Sequence, residues 1–257
     1  MNIKLSKRLQ WIADWVPEGS RLADIGSDHA LLPVYLAKHK RISFAVAGEV
    51  NQGPFEAARR QVQGACMEMI VNVRHGDGLS VVKQGEVDCI TIAGMGGSLI
   101  ATILSADPKK LEGVTRLILQ PNVGEDIVRR WLREQGWALV QEHILEEDGK
   151  IYEVLLAERL ADRQLLEEHN ERLYKTRQLP CGIALTEDWL FLMGPLLSLN
   201  PSSVFVQKWE HELGKWERVL RTMEQAETEE ARERRIAFAK KQAEMERIVA
   251  CLQTLKR

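Results

Sequence analysis

Apolar and polar positions follow two alternating periods up to about residue 160. Short apolar runs occupy Leu22–Ile25, Phe44–Gly48, Ile70–Val73, Val87–Ile92 and Arg116–Leu119. Runs this short, bounded by Gly, Pro, Asn or Asp, predict strands, and a wholly apolar run predicts one buried on both faces. Between them, Leu31–Lys38, Pro54–Met67, Ser98–Leu104 and Glu125–Gln135 carry apolar residues at helical spacing. Strand followed by helix, repeated, predicts a parallel, doubly wound α/β sheet. Two further runs, Trp137–Ile144 and Ile151–Leu156, flank Glu146-Glu147-Asp148-Gly149-Lys150. Asp-Gly between apolar runs predicts an antiparallel hairpin at the end of that sheet. Ahead of the first strand, Leu5, Leu9, Ile12, Ala13 and Val16 share one helix face, and Pro17-Glu18-Gly19 stops it.

Beyond about residue 158 the strand signals end. Val206, Trp209, Leu213, Trp216, Leu220 and Met223 are spaced by alternating threes and fours, the seam of a coiled coil. Glu224–Glu230 is a polar connector, and Phe238, Met245, Val249 and Leu252 form a second stripe. The pattern predicts an antiparallel coiled-coil hairpin, with Trp209 and Trp216 packed in its seam. Gly194-Pro195 and Asn200-Pro201 break the chain before it, and Ser202 or Ser203 is placed to cap the first helix. The expected organisation is an α/β domain over residues 1–160 and a helical domain over residues 161–257.

Chemistry concentrates at the carboxyl ends of the predicted strands, where open α/β sheets bind ligands. The first strand runs into Ala23-Asp24-Ile25-Gly26-Ser27-Asp28-His29-Ala30. Gly26 permits a sharp turn and a close backbone approach there. Glu49 stands at the tip of the second strand, either as a solvated surface charge or as an acid placed to accept hydrogen bonds from ribose hydroxyls. Gly76-Asp77-Gly78 follows the third strand, and Ala93-Gly94-Met95-Gly96-Gly97 the fourth. Glycines crowded at one strand tip imply a bulky neighbour against the backbone. Gln120-Pro121-Asn122 ends the fifth; it is either an Asn/Pro turn or a pair of amides able to read a polar base edge. Asp28 is either a helix cap or a carboxylate facing a ligand.

Composition narrows the partners. A net charge of −2 over 257 residues leaves no global basic field, so nucleic acid would rely on local patches. Candidate patches are Lys4, Lys7 and Arg8, the run Lys38-His39-Lys40-Arg41, and Arg59-Arg60, each otherwise a solvated helix face, together with Arg218, Arg221, Arg232, Arg234, Arg235, Lys240 and Lys241 on the helical hairpin. Cys66, Cys89, Cys181 and Cys251 are widely spaced, with no pattern for zinc, so no metal is expected. No secretory apolar segment and no run of membrane-spanning length is present. A reduced, cytoplasmic protein is the expectation, with Cys89 a small buried hydrophobe.

The segments ADIGSDHALLPVYL, GDGL, IAGMGG and LQPN, with the terminal hairpin and helical tail, resemble the bacterial tRNA (adenine-22-N1)-methyltransferases. These belong to the Rossmann-like class I S-adenosylmethionine-dependent methyltransferases. The resemblance implies S-adenosylmethionine as cofactor and tRNA as substrate. It places Asp24, Gly26, Ser27 and His29 near the methionine end of the cofactor, and Glu49 on the ribose. Asp77 and Gly78 would face the adenine, and Ala93, Gly94 and Met95 would lie under the sulfonium. Asp28, Gln120 and Asn122 are then the catalytic candidates, Asp28 as a carboxylate stabilising the cationic product. His29 either hydrogen-bonds the cofactor carboxylate or packs. Two departures from the general class stand out: Asp28 and Ala30 occupy positions that are usually glycine, and the Asp/Asn-Pro-Pro-Tyr element is replaced by Ala93-Gly94-Met95-Gly96. The second departure disfavours an exocyclic amine as target and is compatible with a ring nitrogen. A monomer is expected, with pairing of two copies through the coiled coil left open. The competing readings are a non-catalytic RNA-binding adaptor and an NAD-dependent oxidoreductase.

Overall fold

A computed structural model of the chain describes residues 3–223 and 228–254. It divides into two compact units, Met1–Arg172 and Leu173–Arg257. In the first, helix α1 (Lys7–Trp15) precedes the alternation β1 (Ser20–Ile25), α2 (Leu31–Lys38), β2 (Ile42–Glu49), α3 (Gln52–Gly64), β3 (Val71–His75), β4 (Cys89–Gly96), α4 (Gly97–Ser105), β5 (Arg116–Val123) and α5 (Glu125–Glu134). The hairpin β6 (Ala138–Glu147) and β7 (Lys150–Glu158) and helix α6 (Arg163–Tyr174) follow.

The sheet order is β3-β2-β1-β4-β5-β7-β6. Strands β3, β2, β1, β4 and β5 pair in parallel, whereas β7 runs antiparallel to both β5 and β6. The chain winds outward through β2 and β3, then returns to lay β4 beside β1, which opens a crevice at the tips of β1 and β4. The expected hairpin is present, and its turn works because Asp148 and Gly149 both adopt positive φ, 51° and 71°. Its second strand is the one that enters the sheet beside β5. Leu22, Ala45, Cys89 and Ile118 lie in one apolar cluster under α1 and α2, which explains the uniformly apolar strand sequences.

Two strands run further than their apolar runs predict. β4 continues through the glycine-rich segment to Gly96, and β5 continues through Gln120-Pro121-Asn122 to Val123. The Asn/Pro turn reading is therefore corrected. The two tips stay paired across a register shift between Ala93 and Met95, where Gly94 takes a φ of +79° that only glycine adopts cheaply. Pro121 is accommodated because it sits at that irregularity.

Helix α5 carries a charge network that hydropathy alone conceals. The Arg129 side chain is fully buried, with its Nε 2.6 Å from Glu142 Oε1 and its Nη2 on Glu153 Oε2. Burial alone would lower the Arg129 pKa, but the Glu142, Glu153 and Glu125 carboxylates more than offset it and hold the guanidinium charged.

The second unit contains short strands β8 (Arg177–Gln178) and β9 (Ala184–Leu185), helix α7 (Glu187–Met193), and the long helices α8 (Ser203–Met223) and α9 (Glu229–Thr254). The two short strands correct the expectation that no strand follows residue 158. Ser202 caps α8, its Oγ accepting from the Phe205 amide at 3.2 Å. Helices α8 and α9 pack antiparallel: Gln253 donates to Glu210 at 2.6 Å, and the Trp216 and Phe238 rings lie 5.2 Å apart. Trp209, Met245, Val249 and Leu252 are buried, so those stripe positions are core. Most of the predicted connector, residues 224–227, lies outside the described residues.

One expectation about cysteine fails. Cys181 and Cys251 form a disulfide, with Cα atoms 6.1 Å apart, because the loop before β9 returns to the end of α9. Sequence spacing could not show a pairing across 70 residues. Cys89 is buried as expected, and burial pushes its thiol pKa up. Among the described residues, no helix is long and apolar enough to cross a membrane.

Candidate active site

The tips of β1 and β2 are tied together before any ligand is considered. The Gly26 and Ser27 amides donate to the Gly48 carbonyl at 2.9 and 3.3 Å. Asp24 is buried at the end of β1, where Ser27 Oγ donates to its Oδ2 and Thr91 Oγ1 to its Oδ1 at 2.6 Å. Thr91 is the only polar side chain between Cys89 and Ile92, and its position inside an apolar run was a readable sign of a buried partner. Burial pushes the Asp24 pKa up against the lowering effect of those two hydroxyls.

Glu49 ends β2 and is 6% exposed. Its Oε1 is buried with no hydrogen-bond partner among the described residues, while the carboxylate accepts from the Asp28 backbone N–H. Burial, first, and the charges of Asp24 and Asp28 push its pKa up. A buried acceptor left open costs about 1–3 kcal/mol, so its retention points to a donor supplied by a ligand.

The turn between β1 and α2 departs from expectation. Asp28, His29 and Ala30 take φ of 41°, 67° and 55°, three consecutive left-handed residues without a glycine. Such residues are strained and persist where surrounding contacts over-determine them. The positions occupied by Asp28 and Ala30 thus keep a glycine-like backbone without glycine. The cap of α2 is Ala30, with no side-chain bond, so Asp28 is not the helix cap. Its carboxylate is exposed and lies 3.5 Å from His29 Nε2. Beyond the end of β3, Asp77 is exposed and makes no capping bond to the 3-10 turn Gly78–Val81 that it precedes.

The tips of β4 and β5 form a separate cluster. Gln120 is fully buried, and both ends of its amide are engaged. Its Oε1 accepts from the Gly94 amide at 3.1 Å and from Arg8 Nη1. Its Nε2 donates to the Pro121 carbonyl at 2.8 Å and to Asn122 Oδ1 at 3.2 Å. Asn122 Nδ2 in turn donates to the Gly94 carbonyl at 2.8 Å. The two amides predicted to read a base instead brace the backbone of Gly94, and among the described residues no hydrogen bond joins them to Asp28. A bulky neighbour at the glycine-rich tip exists, but for Gly97 it is the protein itself. A Cβ there would stand 2.0 Å from the Gly124 carbonyl oxygen. Arg8 and Tyr152 are the residues that sequence reasoning missed at this tip. Arg8 was visible only as part of a basic patch.

Two structural ties hold α1 over this tip. Glu147, at the end of β6, accepts from the Lys7 and Arg8 amides at 2.5 and 3.2 Å. Burial opposes its charge, yet those two bonds, Ser6 and Arg8 together hold its pKa below the usual glutamate range.

The sequence pattern of the family described as tRNA (adenine(22)-N(1))-methyltransferase, TrmK, matches residues 22–247. A Bacillus subtilis (strain 168) protein of that description is 46% identical over 224 residues, 87% of each chain. The crystal structure of the B. subtilis m1A22 tRNA methyltransferase TrmK superposes with a TM-score of 0.83 at 43% identity, over 96% of this chain and 100% of that one. The Streptococcus pneumoniae protein Sp1610, solved in complex with S-adenosyl-L-methionine, superposes with a TM-score of 0.77 at 37% identity, over 96% of this chain and 100% of that one. The family pattern covers most of the chain and the B. subtilis relative is nearly half identical, so the chain belongs to the tRNA (adenine(22)-N(1))-methyltransferase family.

Proposed function

We propose that this chain transfers a methyl group from S-adenosylmethionine to N1 of an adenine in tRNA, at position 22 as in its relatives. The observation that carries the reading is the open, buried Oε1 of Glu49, which suits a ribose hydroxyl at the tip of β2. Asp24, Gly26, Ser27 and His29 would hold the methionine end, Asp77 and Gly78 the adenine, and Ala93, Gly94 and Met95 would lie beneath the sulfonium. Two buried acids whose charged forms are disfavoured by burial favour a cationic ligand, since its charge offsets that cost. The bound cofactor supplies an electrophilic methyl group.

The chain's own task is then alignment. The Gln120–Asn122 brace fixes Gly94 from both its N–H and its C=O, and so sets the height of the tip above which a base would stand. The N1 lone pair lies in the ring plane and needs no strong base. The Watson–Crick edge must be exposed, so a paired adenine would be turned out of its stack. Asp28 is the carboxylate proposed to offset the positive charge of the methylated ring. Its exposure leaves it reachable, and its contacts place it on the β1–β2 side of the crevice. The chain acts as a monomer in this reading, since Trp209, Met245, Val249 and Leu252 are already buried within one copy.

The test is incubation of unmodified tRNA with labelled S-adenosylmethionine, followed by nucleoside mass spectrometry. The expected product is 1-methyladenosine, mapped to position 22 and lost in Asp24→Ala. Cofactor binding without any methylated nucleoside would overturn the reading.

A further inference from the structure

Arg8 sits at the paired tips of β4 and β5, and it is held there from two sides. Its Nη1 donates to the buried Gln120 Oε1, and its guanidinium lies 5.1 Å from the centre of the Tyr152 ring. A Cβ built on Gly94 would lie 3.7 Å from the same Nη1. The backbone of Arg8 is fixed as well, through its amide on Glu147. Nε and Nη2 have no hydrogen-bond partner among the described residues, and the side chain is half-buried. A long basic side chain pinned at both ends, with one donor edge left open beside the Gly94 tip, is costly in rotamer freedom unless that edge is used.

Guanidinium only donates. It cannot usefully meet the adenine N1, because a donor there would occupy the lone pair that attacks. It also opposes a base that becomes cationic on methylation. A phosphate oxygen pair is negative before and after transfer and matches the open edge in geometry. We propose that Arg8 is a substrate-binding residue whose open edge grips a backbone phosphate at or next to the target nucleotide and so sets the adenine against the Gly94 tip. The proposal rests on the methyl-transfer reading only for the identity of the base. The phosphate contact is a statement about RNA binding.

The experiment compares wild type, Arg8→Gln and Arg8→Lys by equilibrium binding of unmodified tRNA across a salt series, alongside turnover and calorimetric binding of S-adenosylmethionine. For Arg8→Gln the expected result is a loss in kcat/KM of roughly tenfold to a hundredfold, the size expected for a charged hydrogen bond. The slope of log affinity against log salt should fall by about one. Cofactor affinity should stay at the wild-type value, and Arg8→Lys should restore the slope but not the full rate. An unchanged salt slope in Arg8→Gln, or cofactor affinity falling in step with turnover, would overturn the proposal and leave Arg8 as a clamp on Gln120. Should Arg8→Gln not fold, Arg8→Lys decides: the full wild-type turnover rate would overturn it, since a point charge lacks the paired donor edge. Wild-type tRNA binding without 1-methyladenosine would defeat the reaction assignment, while the binding slopes would still decide the phosphate contact.

Discussion

Asp24 and Glu49 carry most of the site's electrostatics, and both have raised pKa values caused first by burial. An acid raised on folding lends stability that is complete below its unfolded pKa and is lost as pH rises through the folded value. Melting temperature without added ligand is therefore expected to fall as pH climbs out of the ordinary carboxylate range, and Glu49→Gln should flatten that fall. Thermal melts of both proteins over about pH 4 to 8 check this. Affinity for the cationic cofactor should rise over the same window, since it favours the charged acids. Gly97 supplies a steric test. Gly97→Ala puts a methyl group into the Gly124 carbonyl, a backbone atom that cannot swing aside. Overpacking of this kind costs about 1–3 kcal/mol. It should also displace the Gly94 tip, so turnover should drop more than cofactor affinity, measured by single-turnover rate and calorimetry.

At the scale of elements, α5 and the β6–β7 hairpin are joined by the Arg129–Glu142–Glu153 network. Removing one partner of a buried ion network leaves uncompensated charge, at a cost of about 3–5 kcal/mol. Arg129→Met should accordingly lower the melting temperature by about 10 °C. Replacing all three residues with apolar ones should cost less than the single change, which calorimetry of the two variants can decide. In the second unit, the Cys181–Cys251 disulfide closes a loop across 70 residues of sequence. Chain-entropy reasoning assigns such a link about 4 kcal/mol. Reduction, or Cys181→Ser, should thus lower the unfolding midpoint of the helical unit, followed by circular dichroism in denaturant.

For the whole molecule, the switch in strand order between β1 and β4 puts the ligand crevice where Glu49 and the glycine-rich tip both reach it. Methyltransferase and dehydrogenase readings share that geometry, so ligand choice separates them. S-adenosylmethionine at about 100 times its Kd should stabilise the protein by about 2.7 kcal/mol, a rise of roughly 5–10 °C, and NAD should give none. A shift with NAD alone would contradict family and site together.

The sequence by itself determined the parallel sheet, its antiparallel hairpin, the helical hairpin and the location of the acids, because these follow from local periodicity and turn chemistry. Asp24, Glu49 and Gly94 were legible for the same reason: a strand tip is marked by where its apolar run ends. What only the tertiary structure decided are the partnerships. Gln120 and Asn122 have the amides of a base reader, yet each lies within reach of Gly94, so they brace the backbone. Asp28 has the chemistry of a cap, but a left-handed turn ends at Ala30 and moves the cap past it. Arg8 meets Gln120 across 112 positions, and Cys181 meets Cys251 across 70. Contacts at such separation are set by how helices and strands pack, and no local pattern encodes that packing one residue at a time.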